Sequence, residues 1–398
     1  MKKVVLHMMV KNNGGDDHHF FSEIIKNISE QTTKLVVVLH AVPGVEVFVD
    51  FLHQVCPIAL LLPKQSSMDS KVVDRLAQSY PVLHYSRNDI NQHSESLFLD
   101  LDTHVQRDPF AIIDVGGYFA PFLRELGETF KHQLIGIVEN TENGHQKYES
   151  QITSETDKPT FPIISVARSP LKSPEDYMVG QAIVFSAEAM LRDYFSDILT
   201  GKHALVFGYG KIGQSIAEGL RKKVRKVSVY DQNPSQQMLA LAHNFASRQR
   251  NVLLSEADLI FCATGNQSIS IDDLDLMKHK AQLFLATSAD DEVENYDHFL
   301  KHGYKDPHHE HVWVMQNPSQ TKHIYLCNDG KSINFLHGGI VGPFIRTVQA
   351  ELLCAAVSLH DTQPNGLIQS LNTSKRQDIA ETWLDFYLKS HVTIKPST

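Results

Sequence analysis

The stretch Leu205-Val206-Phe207-Gly208-Tyr209-Gly210-Lys211-Ile212-Gly213 decides the fold of this chain. Its apolar beginning is typical of a buried parallel strand, and apolar residues continue beyond it at helical spacing. In the motif Gly-x-Gly-x-x-Gly, the first two glycines permit a tight turn and a close approach to a pyrophosphate. The third glycine lets the following helix lie close to the strand. The N-terminus of that helix offers N–H groups and a positive dipole to the phosphates.

A second apolar strand, Val227 to Tyr230, leads directly to Asp231. An acid at about this distance beyond the glycines binds the adenosine ribose diol of NAD, whereas an arginine would favour NADP. The glycine motif alone also occurs at ordinary β–α turns. Strand, glycines, helix, strand and acid in this order predict an NAD site. The predicted contacts in this unit are Gly208, Gly210, Lys211, Ile212, Gly213 and Asp231.

The length and charge of the chain limit its architecture and its partners. The 398 residues suffice for two or more domains, and the net charge of -9 disfavours nucleic acid as a partner. The four cysteines lie far apart and mostly in apolar runs, so we expect reduced core thiols. The apolar stretch from Val4 to Val10 is interpreted as a strand rather than a signal peptide. No run has the length of a transmembrane helix, and we expect a cytoplasmic protein without membrane partners.

Strand and helix patterns alternate on both sides of the glycine turn, which is typical of doubly wound parallel sheets. Before the turn, strands are predicted at Leu35–Leu39, Cys56–Leu62, Val82–Tyr85, Ala111–Asp114, Leu134–Val138 and Ile163–Val166. The polar stretch Asn140–Pro159 is interpreted as a long loop, and long loops within such domains are more often functional than idle.

After the turn, the predicted strands are Leu259–Ala263, Gln282–Ala286, Val312–Val314, Ile324–Leu326 and Ile333–Phe335. A helix over Phe344–Leu359 then returns to the first domain. The predicted fold class is therefore α/β, with two doubly wound domains. These are a substrate domain (1–182 plus 346–398) and an inserted NAD-binding Rossmann domain (183–345).

Three histidines, His308, His309 and His311, raise the alternative of a metal site. Adjacent histidines on a strand point apart, and no cysteine or second acid is placed to complete a tetrahedral set. The sequence therefore predicts no metal.

Further motifs stand before and after the glycine turn. They are Gly136-Ile137-Val138-Glu139-Asn140-Thr141-Glu142-Asn143-Gly144, Phe161-Pro162-Ile163-Ile164-Ser165-Val166 with Lys172, Asp176 and Gly180, Ala263-Thr264-Gly265-Asn266, and Asp329-Gly330-Lys331 to Asn334. With them, the chain resembles the S-adenosyl-L-homocysteine hydrolase family continuously from Leu134 to Leu359. The first two motifs are similar to the family's Gly-Ile-Ser-Glu-Glu-Thr-Thr-Thr-Gly and Phe-Pro-Ala-Ile-Asn-Val.

The resemblance implies bound NAD, a small nucleoside-like substrate and a homo-oligomer, dimer or tetramer. Enzymes of this family oxidise the ribose 3′-hydroxyl, expel homocysteine, add water and reverse the oxidation. It further implies that Lys172 lies at the 3′-hydroxyl, that Asp176 binds the diol and that His40 lies near C5′. A solvated loop lysine is the alternative for Lys172, and a satisfied strand-end histidine for His40. The family's remaining cofactor contacts would be Thr141, Thr264, Gly265, Asn266 and Asn334.

Several positions depart from the family pattern. Val115 and Asn140 stand where the family has catalytic carboxylates, and Ser288 and Val341 where it has histidines. A valine cannot abstract a proton, and the loss of one positioned base costs about 10²–10⁴-fold in rate. The positions that remain are those that would oxidise a secondary alcohol.

Three hypotheses follow. The leading one is an NAD-dependent enzyme that oxidises a ribose-type hydroxyl of a nucleoside-like substrate. The second keeps the family's hydrolysis, with His40 or Asp114 replacing the missing bases. The third is a catalytically silent NAD-binding regulatory protein.

Overall fold

The computed structural model describes residues 13–92, 94–154 and 157–387, and their contacts divide into two compact units. Within the described residues, the first unit consists of residues up to 172 together with residues 342–387, and the second of residues 173–341. The sequence placed the first division between residues 182 and 183. That point lies inside the continuous helix Ser173–Phe195, and the structure makes the division where this helix begins. The strand expected at Val4–Val10 lies outside the described residues.

The strands follow the expected alternation in both units. In chain order they are β1 Lys34–Leu39, β2 Ile58–Pro63, β3 Phe110–Asp114, β4 Leu134–Glu139, β5 Ile163–Ser165, β6 His203–Phe207, β7 Lys226–Tyr230, β8 Leu259–Cys262, β9 Gln282–Leu285, β10 Gly303–Lys305, β11 Val312–Gln316, β12 His323–Cys327 and β13 Ile368–Gln369.

The α-helices connect these strands and cover the sheets. In chain order they are α1 Asn13–Ile25, α2 Val45–Val55, α3 Ser70–Leu76, α4 Arg87–Gln92, α5 Ser94–Val105, α6 Leu123–Thr129, α7 Glu142–Gln151, α8 Ser173–Phe195, α9 Lys211–Arg221, α10 Pro234–Ala242, α11 Arg250–Glu256, α12 Asp273–Leu276, α13 Ala289–Glu292, α14 Tyr296–Leu300, α15 Phe344–Ser358 and α16 Thr373–Tyr387.

The sheet of the first unit is parallel throughout, with the strand order β13-β5-β4-β3-β1-β2. Strand β1 is buried from Leu35 to Leu39 and turns alternate side chains to opposite faces. Helices α2 and α15 pack on one face, and α5 and α6 on the other. The connections reverse direction between β1 and β3. In an open α/β sheet, the crevice at the carboxyl ends of two such strands is where ligands bind.

The sheet of the second unit has the order β10-β11-β12-β9-β8-β6-β7. Strands β7, β6, β8, β9 and β12 are parallel, and β11 and β10 continue the sheet in antiparallel pairs. Helices α8 and α9 pack on one face, and α11, α12 and α14 on the other. The reversal point lies between β6 and β8, so the glycine turn after β6 opens into the ligand crevice of this sheet. The predicted α/β class with two doubly wound units is confirmed.

Three local predictions were wrong. The stretch expected to be a loop contains helix α7, because Thr141 caps its N-terminus and Gly144, His145 and Tyr148 are buried along one side. Ile333–Phe335 was predicted as a strand but belongs to a 3₁₀ helix, Ile333–His337, which ends at the left-handed Gly338. The stretch Val82–Tyr85 contributes a single bridge, from Val82 to Leu61, instead of a strand.

All four cysteines of the chain are buried and none forms a disulfide. Cys56 and Cys354 belong to the first unit, and Cys262 and Cys327 to the second. Burial raises the pKa of both Cys56 and Cys354 to about 11, and it raises the pKa values of the other two thiols as well. Among the described helices, none is long and apolar enough to cross a membrane.

Candidate NAD site and substrate pocket

The turn between β6 and α9 has the geometry that its glycines predict. Gly208 has a φ of +85°, and a Cβ there would lie 2.5 Å from the carbonyl oxygen of Ala263. A Cβ on Gly213 would overlap the carbonyl oxygen of Gly208. Both positions therefore require glycine, because either side chain would push strands or helix apart.

Gly210 differs from its two neighbours in the motif. Its φ of -69° suits any residue, and a Cβ there would meet no described atom within 4 Å. Packing inside the protein therefore does not explain a glycine at this position. The backbone of Gly210 caps the N-terminus of α9, and the open space beside it fits an approaching pyrophosphate.

Asp231 follows β7 and lies against the same turn. Its carboxylate accepts hydrogen bonds from the backbone N–H groups of Tyr209, at 2.7 Å, and Asn233, at 2.8 Å. Each bond uses a different carboxylate oxygen, so both oxygens keep capacity to accept a further donor. This arrangement fits a ribose diol.

The loop after β8 is organised by Glu292, which the sequence analysis did not single out. This fully buried carboxylate accepts from the backbone N–H groups of Thr264 and Gly265, both at 2.8 Å, and from the Thr264 hydroxyl at 2.7 Å. The hydroxyls of Ser268 and Thr287 also donate to it. Burial raises the pKa of Glu292 despite these donors. Glu292 thus fixes the positions of the predicted contacts Thr264 and Gly265. The backbone N–H of Asn266 donates to the Thr264 hydroxyl.

Asn334 lies in the 3₁₀ helix Ile333–His337 and is only 5% exposed. Its side-chain amide lies 2.6 Å from the Ser332 hydroxyl, which in turn lies 2.8 Å from the Ala286 carbonyl oxygen. Ser288, at the position of a family histidine, donates instead to Asp291 at 2.9 Å. A hydroxyl held in this way is no proton acceptor at neutral pH.

Helix α8 brings Asp176 beside the glycine turn. Gly180 allows close contact, because a Cβ there would overlap the Ser215 side chain of α9. Asp176 is 6% exposed, and its Oδ2 lies 3.4 Å from Nζ of Lys211, the first residue of α9. A predicted substrate residue and a predicted cofactor residue therefore form an ion pair within one unit.

The second unit is also the part of the chain that a known domain family matches. A sequence profile described as S-adenosyl-L-homocysteine hydrolase, NAD binding domain, matches residues 188–339. These residues therefore form an NAD-binding domain similar to that of the adenosylhomocysteinases. NAD is accordingly its cofactor, as the glycine turn and Asp231 predicted.

Curated relatives extend the match into the first unit. An adenosylhomocysteinase of Sulfolobus acidocaldarius is 27% identical over 234 residues, 58% of this chain and 54% of that protein. One of Triticum aestivum is 30% identical over 166 residues, 41% of this chain and 33% of that protein. An S-inosyl-L-homocysteine hydrolase of Methanopyrus kandleri is 24% identical over 248 residues, 61% of this chain and 57% of that protein. The chain thus spans between a third and somewhat more than half the length of these relatives.

A solved formate dehydrogenase of Granulicella m. covers 84% of this chain and 99% of its own, with 13% identity and a TM-score of 0.47. This likeness is too weak to bear on function.

In the first unit, His40 follows β1 at the reversal point of the sheet. Its Nδ1 lies 2.5 Å from the Ser67 hydroxyl, so the imidazole is held by a neutral partner. Burial lowers the pKa of His40 well below its usual value, and the nearby positive charges of Lys64 and Lys172 lower it further. His40 is therefore neutral at physiological pH and can accept a proton or a hydrogen bond.

The turn after β3 carries Val115, whose side chain is buried, at the position of a family carboxylate. The two acids near this turn, Asp114 and Glu139, both accept hydrogen bonds from backbone N–H groups. Asp114 accepts from the N–H groups of Val115 and Phe119 and from the Tyr148 hydroxyl. Glu139 accepts from the N–H groups of Gly116 and Gly117, both at 3.0 Å. Burial and the nearby Asp114 raise the pKa of Glu139 to about 8.

Asn140 and Thr141 follow β4 at the same edge of the sheet. The Thr141 hydroxyl donates to Glu139 at 2.8 Å and accepts from the Gly144 N–H at 3.0 Å, so it caps α7 and orders the turn. The buried side-chain oxygen of Asn140 has no hydrogen-bond partner among the described residues. A buried acceptor of this kind is normally satisfied by water or by a ligand.

Lys172 closes a 3₁₀ turn, Pro170–Lys172, and is 8% exposed. A solvated loop lysine would be open to water, whereas this ammonium is buried near His40, whose pKa it lowers. The structure therefore brings His40 and Lys172 together in the first unit. For the histidines near residue 309, the described residues contain no group of three or more potential ligands that could hold a metal.

Proposed function

We propose that the chain is an NAD-dependent enzyme that oxidises a ribose-type hydroxyl of a nucleoside-like substrate. The carrying observation is the buried carboxylate of Asp176, 3.4 Å from the Lys211 ammonium at the start of the helix that follows the NAD turn. A carboxylate so placed can accept hydrogen bonds from a diol.

NAD would supply the hydride acceptor for such an oxidation. The chain itself must orient the alcohol and remove the hydroxyl proton. We assign the proton to Lys172, because its side chain is buried and lies near His40, at the position that the resemblance gives to the 3′-hydroxyl. Asp176 would hold the neighbouring hydroxyl, and Asn334 would hold the carboxamide of the cofactor. His40, kept neutral by its surroundings, would accept a hydrogen bond from the substrate.

Thioether hydrolysis receives less support from the same pocket. It needs a base at C4′ of the ribose, and Val115 and Asn140 provide neither a carboxylate nor an imidazole. Asp114 is committed to two backbone N–H groups and a tyrosine, so it is a poor substitute. The relatives are named for both adenosyl and inosyl thioethers. We therefore leave the base of the nucleoside open.

The test is a panel of nucleosides added to the purified chain with NAD bound. We expect NADH absorbance to rise with at least one compound that has a free 2′,3′-diol, and not with its 3′-deoxy analogue. The variant Lys172→Met should lose about 100-fold or more of this rate while NAD affinity stays unchanged. Lys71→Met, which removes an exposed lysine of the first unit, is the matched control.

The proposal fails if NAD is bound and no diol in the panel reduces it, or if Lys172→Met keeps the full rate. Release of homocysteine from S-adenosyl-L-homocysteine, measured in parallel, would show instead that hydrolysis has survived.

A further inference from the structure

The loop that precedes β13 in the first unit contains the pair Asn365-Gly366. Asn365 is exposed, and its side-chain oxygen accepts a hydrogen bond from the backbone N–H of Leu367 at 3.0 Å. Asparagine side chains that bond their own backbone in this way fold back over the peptide that follows them. The carboxamide carbon of Asn365 is therefore turned towards the backbone nitrogen of Gly366, and the hydrogen bond to its oxygen draws electrons away from that carbon.

Gly366 supplies a nitrogen that a carbonyl carbon can approach. None of the described residues accepts a hydrogen bond from its N–H group, and glycine has no side chain beside that nitrogen. The atoms that cover Gly366 belong to the stem of Lys158, whose Cδ lies 2.3 Å from the position that an added Cβ would take. Lys158 is itself exposed, and a lysine stem is flexible enough to move aside. The pair is therefore open to a reaction within the chain.

We propose that Asn365 is a site of spontaneous deamidation through a cyclic imide. The backbone nitrogen of Gly366 attacks Cγ of Asn365, and the new N–Cγ bond replaces the bond from Cγ to Nδ2. The proton of the Gly366 amide leaves with Nδ2 as ammonia. Water then opens the imide: hydrolysis at Cγ gives aspartate, and hydrolysis at the main-chain carbonyl carbon gives isoaspartate. The reaction needs only water, and mild alkali accelerates it because the attacking nitrogen must lose its proton.

A second pair of the same sequence, Asn143-Gly144, is protected by its structure. It lies in the first turn of α7, where the Gly144 N–H donates to the Thr141 hydroxyl at 3.0 Å. A side chain on a helix points outward and towards the N-terminus, away from the nitrogen of the next residue. Gly144 also packs against the buried carboxyl of Glu139. Cyclisation at Asn143 therefore requires the helix to open, whereas cyclisation at Asn365 does not.

The products would alter the edge of the first sheet. Aspartate adds a negative charge to the loop, and isoaspartate also lengthens the main chain by one carbon. The altered residue stands shortly before β13, where Ile368 and Gln369 pair with Ile163 and Ile164 of β5. A strand this short depends on the register that the preceding loop imposes. We therefore expect the isoaspartate form to lose part of this pairing.

The test follows Asn143 and Asn365 in the full chain during incubation in mildly alkaline buffer. Proteolysis and mass spectrometry, with chromatographic separation of aspartyl and isoaspartyl peptides, give the modified fraction at each site over time. We expect Asn365 to react at least about tenfold faster than Asn143, because the first turn of α7 must open before Asn143 can react. In urea the two sites should react at comparable rates, since both precede glycine. Asn365→Gln should abolish the reaction at this position, because the longer side chain disfavours the five-membered ring, and leave the rate at Asn143 unchanged.

Equal rates at the two sites in the folded chain, or an unmodified Asn365 after the unfolded chain has reacted, would overturn the proposal. Hydrogen exchange of the isoaspartyl form then measures the effect on β13. The amides of Ile368 and Gln369 should exchange faster than in the Asn365→Gln chain, and equal exchange would refute the expected loss of pairing. No step involves the NAD turn, so the outcome is independent of the proposed oxidation.

Discussion

Gly210 offers the sharpest test of the NAD site. Packing inside the protein requires glycine at Gly208 and Gly213 but not at Gly210. At Gly210 an added methyl group meets open space, and the φ of -69° suits alanine. Replacing glycine by alanine at a compatible position stabilises by about 0.4–1 kcal/mol. Alanine is, however, a poorer N-cap than glycine by roughly 0.5–1 kcal/mol. The two effects nearly cancel, so Gly210→Ala should leave the free energy of unfolding of the cofactor-free chain almost unchanged.

The affinity for NAD should change strongly in the same variant. The methyl group would fill the space into which a pyrophosphate must come, and it would block one hydrogen bond from the backbone to a charged oxygen. Such a bond contributes about 1.5–3 kcal/mol, or roughly 10–150-fold in affinity. Gly213→Ala is the contrasting variant, because its Cβ would overlap the Gly208 carbonyl. It should destabilise the chain by about 1–3 kcal/mol even without cofactor.

The assay pairs calorimetric titration of NAD with urea unfolding of each cofactor-free variant. The reasoning is refuted if Gly210→Ala binds NAD as tightly as the native chain, or if it unfolds as easily as Gly213→Ala. Either result would mean that the open space beside Gly210 does not receive the pyrophosphate.

Three further outcomes are expected. Asp231→Asn should weaken NAD binding about tenfold, because an amide nitrogen would then face the backbone N–H of either Tyr209 or Asn233. It should also reduce the preference for NAD over NADP, which titration with both cofactors measures. An unaltered preference would contradict the assignment of Asp231 to the ribose diol. The pKa of His40 is lowered by folding, so the unfolded chain binds more protons as pH falls through 6.5 and the free energy of unfolding should fall with it. His40→Gln should reduce that slope in urea titrations at several pH values, and an identical slope would show that His40 is not buried as described. Gly144→Ala should destabilise by on the order of 3 kcal/mol, because its Cβ would overlap the buried Glu139 carboxyl, and a native-like urea midpoint would contradict this contact.

The cofactor unit was predictable because its information is local. Strand β6, the glycines, helix α9 and Asp231 follow one another within about one β-α-β unit, and each has its own physical signature. The glycine turn and the acid beside it could therefore be predicted from the sequence, and the individual cofactor contacts remain predictions. The division at residue 172 was less accessible, because a helix that begins a unit carries no composition change at its first residue.

The pocket of the first unit was harder to predict, because its contacts join distant parts of the chain. In the sequence, Glu139 is only an acid at the end of an apolar run. The structure shows that the backbone N–H groups of Gly116 and Gly117 donate to it. Lys64, Arg87 and Lys147 are ordinary charges in sequence and meet only through the order of the strands. Helix α7 was missed because most of its residues are polar, which suggested a loop. Its buried side consists of only Gly144, His145 and Tyr148.

The distribution of thiols gives this molecule a built-in reporter of its own unfolding. Each unit holds two sulfhydryl groups, both buried and both with a raised pKa, so an alkylating reagent should leave the native chain unmarked. Brief exposure to such a reagent during denaturation, followed by peptide mass spectrometry, would record when each half opens. NAD added beforehand should delay the labelling of Cys262 and Cys327. The time at which Cys56 and Cys354 are labelled should depend only on the stability of the first unit.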